Sequence, residues 1–162
     1  MTEPPNGPMI APKLFATVRL EWQGDRRFDV GRPGGPTLRL DGDGATGQSP
    51  VDAVVSALSA CTAVDVVDIL AKRRTPLVSL SIDGVGTRAE TIPKRIVSVE
   101  LTYHLSGDGI THPQAERAIE LAITKYCSVR ESLDPALPIH YTAIVNGETG
   151  ARRTAGEQAT PT

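Results

Sequence analysis

Residues 49–74 read SPVDAVVSALSACTAVDVVDILAKRR, and how this stretch folds decides how the rest of the chain must be arranged. Ser49 followed by Pro50 and Asp52 is a helix start: a hydroxyl cap, a proline where no N–H is needed, and a carboxylate in the first turn. From there Val54, Val55, Leu58, Cys61, Val64, Val66, Val67, Ile69 and Leu70 put apolar groups on most faces as far as about Arg74. That is the pattern of a helix buried by neighbours rather than one lying on a surface. At about 1.5 Å per residue it is roughly 35 Å long. A small domain buries such a rod only by wrapping a sheet and a second helix round it, or by dimerising. Asp52, Asp65 and Asp68 interrupt the apolar run, so a membrane span is not expected.

Before this helix, Phe15 to Trp22, Arg27 to Val30 and Thr37 to Asp41 are three short strands, separated by turn residues at Gly24-Asp25 and Gly31 to Gly35. After it, Val78, Leu80 and Ile82 alternate, and beyond Pro93 so do Val97, Val99, Leu101, Tyr103 and Leu105. Pro113 begins a second helix to about Leu133, and Ile139 to Val145 is a last strand. The order βββ-α-ββ-α-β predicts an α+β domain in which mostly antiparallel sheets surround two long central helices. One domain over residues 13–147 is expected. Residues 1–12, rich in proline, and 148–162, without apolar periodicity, are expected to be disordered.

The composition narrows the function classes. Among 162 residues, 17 Lys+Arg stand against 19 Asp+Glu, and there is no run of like charge. An electrostatic grip on nucleic acid or on an anionic membrane is therefore not expected. Two cysteines exclude a disulfide scaffold and any four-cysteine metal site, and no secretory signal pattern is read at the N-terminus, so a cytoplasmic protein is expected. His104, His112 and His140 share no ligand spacing. Residues 42–49, GDGATGQS, mimic a phosphate-binding loop, but Gln48 stands where that loop has lysine and Pro50 removes an N–H. A loop leading into a helix cap is the simpler reading.

Cys61 and Cys127 are the residues with chemistry to offer. Cys61 is three turns into its helix, too far for the helix dipole to acidify it, and Asp65 one turn later raises a thiol pKa. A reactive Cys61 needs a cation from elsewhere, with Arg26, Arg27, Arg32 and Arg130 as candidates. Otherwise it is a small buried hydrophobe. Each predicted long helix carries one cysteine near its inward face, and whether the sulfurs meet is not readable from spacing.

The segment SPVDAVVSALSACTAVDVVDILAKRR, followed 66 residues after Cys61 by Lys125-Tyr126-Cys127-Ser128-Val129, resembles the OsmC/Ohr family of osmotically inducible and organic hydroperoxide resistance proteins. GTRAETIPKRIVSVELTYHLSG and ERAIELAITKYCSV match as well, so the likeness covers about residues 14–147. The resemblance implies an intertwined homodimer with the long helices central, and a peroxidase of the oxidative stress response acting on organic hydroperoxides in preference to hydrogen peroxide. By position Cys61 is then the peroxide-attacking thiol and Cys127 the resolving one. No bound cofactor or metal is implied, only an external thiol reductant, for example a lipoyl-type dithiol. The resemblance also calls for an activating arginine, falling on Arg26 or Arg27, and a carboxylate after the Ser-Pro step. Here Val51 occupies that place and Asp52 follows. The competing expectation is a non-catalytic dimer of the same fold that binds a small apolar ligand or acts as a redox-responsive partner.

Overall fold

The structure, a computed structural model, describes residues 14–157; the expected disorder of residues 1–12 lies outside the described residues. Three antiparallel strands come first, β1 (Arg19–Trp22), β2 (Arg27–Gly31) and β3 (Thr37–Asp41), in the order β1-β2-β3. Then follow α1 (Pro50–Lys72), β4 (Ser79–Arg88), β5 (Ile96–Ser106), α2 (His112–Leu121), a π-helical turn at Ala122–Tyr126, α3 (Ser128–Glu131), β6 (Ile139–Val145) and β7 (Glu148–Thr154). The second sheet runs β4-β5-β6-β7, antiparallel except for the β5–β6 pair, which α2 connects as a crossover. The α+β class and mostly antiparallel sheets are as the sequence predicts.

One expectation about domain limits changes, at the C-terminal end. The described residues fall into two compact units that divide between Ser49 and Pro50. The first unit is an antiparallel meander, β1 paired with β2 and β2 with β3. Residues 148–154, expected to belong to a disordered tail, form β7 on the edge of the second sheet. The reason is local: Asn146 and Gly147 both take positive φ (49° and 86°), the backbone of a tight hairpin, so β6 folds back directly into β7. An edge strand exposed on much of its length needs no apolar alternation, which is why periodicity alone misses it.

In the first unit the register aligns Leu20 with Val30 and Leu38, and Trp22 with Phe28 and Leu40. These six side chains share one face, and Trp22 is 68% exposed there. The other face is polar and laced by Arg39 to Asp29 at 2.5 Å.

In the second unit α1 turns Leu58, Thr62, Val66 and Leu70 inward, a stripe at i, i+4, i+8 and i+12. The helix ends where Arg74 adopts φ 62° and the Thr75 N–H reaches back to the Leu70 carbonyl (3.1 Å). Although α1 is long and apolar enough to cross a membrane, its inward stripe belongs to the core, with α2, β4 and β5 against it. Gly84 and Gly86 of β4 bring the sheet close to α1: a methyl group on either would stand under 3 Å from Val55. The core is completed by paired rows of β5 and β6, Val99 with Ile139, Leu101 with Tyr141, Tyr103 with Ala143 and Leu105 with Val145, all buried. Each large aliphatic side chain there contributes about 1.5–3 kcal/mol of hydrophobic stabilisation.

α2 starts with a reciprocal cap, Thr111 accepting from the Gln114 N–H and the Gln114 side chain accepting from the Thr111 N–H. It does not continue to Leu133 as expected. Thr124 donates to the Glu120 carbonyl (2.7 Å), a back-bond that bends helices, and the Cys127 N–H bonds five residues back to Ala122 (2.9 Å). Cys127 then leaves the helix at φ −72°, ψ 105° and caps the short α3. Leu101→Ala removes a fully buried side chain from the middle of this core. It should lower unfolding free energy by about 2–5 kcal/mol in urea denaturation; a loss under about 1 kcal/mol would contradict the packing described.

Candidate active site

Cys61 lies on the flank of α1, half-buried between the inward stripe and an exposed one formed by Ala57, Ala60, Val64, Val67 and Ala71. Cys127 lies in the break between the π-helical turn and α3, both of which pack on α1, and is only 4% exposed. The interruption of the second helix therefore carries its cysteine to the first. The two side chains are near enough for Cys61 to act on the Cys127 thiol, and both thiols are free.

The pair is chemically unequal. Burial pushes the Cys127 thiol up to about 11, and its contact with Cys61 adds to the rise; the backbone N–H groups of Arg130 (3.2 Å to Sγ) and Val129 oppose it without prevailing. The arrangement thus keeps the proton on Cys127, while Cys61 is the more accessible of the two.

A second buried pair fixes this geometry. Thr62, the residue after Cys61, donates to the Ser59 carbonyl (3.0 Å) and is 2.7 Å from the Tyr103 hydroxyl of β5. With the threonine proton committed to Ser59, Tyr103 donates to Thr62. Burial pushes the Tyr103 phenol up, so it stays neutral beside Cys127, whose charge also acts on it. Neither residue stands out from the sequence. The signal is a hydroxyl in the middle of an apolar helix and a Tyr on the inward face of a strand, polar atoms that need a partner once buried.

A cavity of about 340 Å³ is walled by Val51, Val54, Leu58, Ile96, Leu133 and Leu137 and rimmed by Lys94 and Arg95; neither cysteine is part of its lining. Leu58 is one helical turn before Cys61. A larger cavity, about 600 Å³ between α2 and β6–β7, contains neither cysteine; in it Arg153 pairs with Glu116 (2.7 Å), and Tyr141 and the Gly156 N–H donate to Glu120 (3.0 and 2.8 Å).

The remaining candidates are distributed as follows. Arg130 does not offer its charge to Cys61; its guanidinium donates to the carbonyls of Asp134, Pro135 and Leu137. Asp52 is nine residues before Cys61, about 14 Å along the axis and on the opposite side of α1, so the two do not meet within one helix. It lines a groove with Ser56, Ser59 and Gly84 instead. Asp65, one turn after Cys61, has its carboxyl pushed up by burial and then by Asp68. Arg26 and Arg27 sit at the β1–β2 turn and the start of β2, paired with Asp43 (2.6 Å) and Asp25 (3.2 Å). Arg32 is in the next turn, its carbonyl accepting from the Gly35 N–H.

The phosphate-loop mimic is filled by its own chain. The buried Asp41 carboxylate accepts from the Thr46 hydroxyl (2.7 Å) and from the N–H groups of Asp43 and Thr46 (2.9 Å each), which holds it down at about 2. The amides that would cradle a phosphate are thus occupied. His104 pairs with Asp83 and His140 with Thr154, and among the described residues no three potential ligands converge on a metal site.

The inequality of the thiols is measurable. Alkylation at pH 8 should modify Cys61 well before Cys127, whose reactivity should rise only as pH approaches about 11. Because folding favours protonated Cys127, stability should fall as pH climbs from the ordinary thiol range towards that value. In Cys61→Ala, with its neighbour gone, Cys127 should titrate lower; an unchanged titration would contradict the contact.

Comparison with known proteins agrees with this fold. The OsmC-like protein family profile matches residues 42–142. Protein YhfA of Escherichia coli (strain K12) is 30% identical over 123 residues, 75% of this chain and 92% of YhfA. The crystal structure of a hypothetical protein from Aquifex aeolicus superposes with TM-score 0.71 at 26% identity, covering 80% of this chain and 95% of that one. An organic hydroperoxide resistance protein from Legionella pneumophila shares the fold at TM-score 0.57 and 15% identity, over 80% of this chain and 97% of that one. An apolar central helix with a cysteine at its middle, a second cysteine brought against it, and a profile match over more than half of the chain lead to one assignment: the protein belongs to the OsmC-like family.

Proposed function

We propose that this chain is a cysteine-based peroxidase that reduces organic hydroperoxides, serving the oxidative stress response in the cytoplasm. The observation that carries the reading is the neighbouring, unequal pair of free thiols, Cys61 half-buried and Cys127 buried with its thiol pushed up. The Cys61 thiolate attacks the distal oxygen of ROOH; the O–O bond breaks, ROH leaves with a proton, and Cys61 becomes a sulfenic acid. Cys127 then attacks that sulfur, a disulfide forms and water departs. An external dithiol, for example of lipoyl type, returns both to thiols through exchange. The apolar cavity one turn from Cys61 favours an organic R group over hydrogen peroxide.

The working unit is proposed to be an intertwined homodimer. Val64 and Val67 are 62% and 44% exposed on a stripe of small and apolar residues along α1, and one face of the first sheet is likewise apolar and open. Surface of this kind marks an interface. The activating cation is assigned to Arg26 or Arg27, and Asp52 takes the supporting carboxylate's part in place of Val51.

A second reading rests on Val51 and on the engagement of Arg130 elsewhere: a dimer of this fold that binds a small apolar ligand in the same cavity without turnover, or responds to redox state as an interaction partner. Intact mass spectrometry after about one equivalent of cumene hydroperoxide separates the two. The peroxidase should lose both thiols and two hydrogens; survival of both thiols in excess oxidant ends that reading. Cys61→Ser should abolish turnover, whereas Cys127→Ser should give one turnover and then overoxidised Cys61. Val64→Glu should shift the chain from dimer to monomer in light scattering; an unchanged mass would remove the α1 stripe from the interface.

A further inference from the structure

Arg130 is anchored at both ends to features that the peroxide chemistry leaves unexplained. Its backbone N–H donates to Cys127 Sγ (3.2 Å), while its guanidinium donates to three successive stations of the turn after α3, the carbonyls of Asp134 (3.1 Å), Pro135 (3.0 Å) and Leu137 (3.3 Å). The turn is also held by the Leu137 N–H on the Asp134 carbonyl (3.0 Å), the Ala136 N–H on the Asp134 side chain (2.8 Å) and the burial of Leu137 in the core. Leu133 and Leu137, at its two ends, form one wall of the apolar cavity, facing Val51 and Val54 of α1. A planar guanidinium with five donors can bridge separate carbonyls, and a lysine ammonium on its flexible stem cannot hold the same three in a fixed plane.

We propose that Arg130 is a specificity-determining residue: by tying the Leu133–Leu137 wall to the backbone segment that grips Cys127, it fixes how large an apolar group is accepted by the cavity one helical turn from Cys61. The inference rests on the peroxidase reading for its kinetic readout, while its structural basis, the clamp and the cavity wall, is independent of turnover. With the clamp released, the wall is free to shift, and a bulky R group is no longer held in line for Cys61. A small peroxide that does not touch the wall is affected only through whatever the change does to the fold in general. The ratio between the two therefore isolates the wall from a loss of stability or of active protein, which lowers both equally.

The test compares full-length wild type, Arg130→Lys and Arg130→Gln in kcat/KM for cumene hydroperoxide, tert-butyl hydroperoxide and hydrogen peroxide. The ratio of cumene hydroperoxide to hydrogen peroxide should fall about tenfold in both variants, with the tert-butyl compound between. Leu137→Ala, which alters the wall directly, should change the same ratio. A ratio that stays within about twofold of wild type in the arginine variants overturns the proposal, whatever happens to the absolute rates. If wild type turns over none of the three peroxides, the peroxidase reading fails by itself, and the clamp is then judged by binding of 1-anilinonaphthalene-8-sulfonate to the cavity. Weaker binding by about fivefold in Arg130→Lys, reproduced by Leu137→Ala, supports the clamp; unchanged binding in the arginine variants overturns it.

Discussion

The constraint on which everything else depends is the burial of α1. A helix of 23 residues with apolar side chains on most of its faces has more surface to hide than one sheet can cover. The second unit meets part of the demand with the stripe from Leu58 to Leu70, against which β5, α2 and the π-helical turn close. The stripe from Ala57 to Ala71 is left open, and with it the flank on which Cys61 stands. Reactivity and incomplete burial thus have a common origin: a thiol wholly inside the core would be inert, and one on a fully solvated helix would lack a neighbouring sulfur.

The second helix contributes by failing to continue. Thr124 diverts its hydroxyl to the Glu120 carbonyl, the backbone slips into a π-helical turn, and Cys127 emerges in an extended conformation as the cap of a new, short helix. A regular helix would carry Cys127 at a position set by 3.6 residues per turn, with its N–H bonded four residues back. The break frees that geometry and lets the sulfur accept from α3 while it meets Cys61. Thr62 and Tyr103 hold α1 and β5 in the register this requires, since the buried Tyr103 hydroxyl finds its partner in Thr62, which also donates to the Ser59 carbonyl. The polar interactions here are few, but each stands where a displacement would separate the sulfurs.

Much of this was legible in the residues. The alternation of β5, the caps of α1 and α2 and the α+β class follow from patterns that repeat within one or two turns or along one strand. β7 was missed, because exposed edge strands lack the alternation that usually reveals them, and Asn146-Gly147 is the one local signal of the hairpin that forms it. The break at Cys127 was not legible, because Thr124 bends a helix only when its neighbours permit, and a run such as AITKYCSVRESL is compatible with an uninterrupted helix.

What the sequence determined by itself is therefore everything governed by local period and local chemistry: the elements, their inward faces, the exclusion of a phosphate site at Gln48, and the identity of the two residues able to do redox chemistry. What only the tertiary structure decided is adjacency and inequality. That Cys61 meets Cys127 across 66 residues, that Arg130 serves backbone carbonyls rather than a thiolate, and that Asp52 faces away from Cys61 depend on how helices stack and where one of them breaks. The physical reason is that a side chain's neighbours at i+3 or i+4 are fixed by the backbone it belongs to. A thiol's proton affinity is set instead by the burial and dipoles that distant segments bring to it.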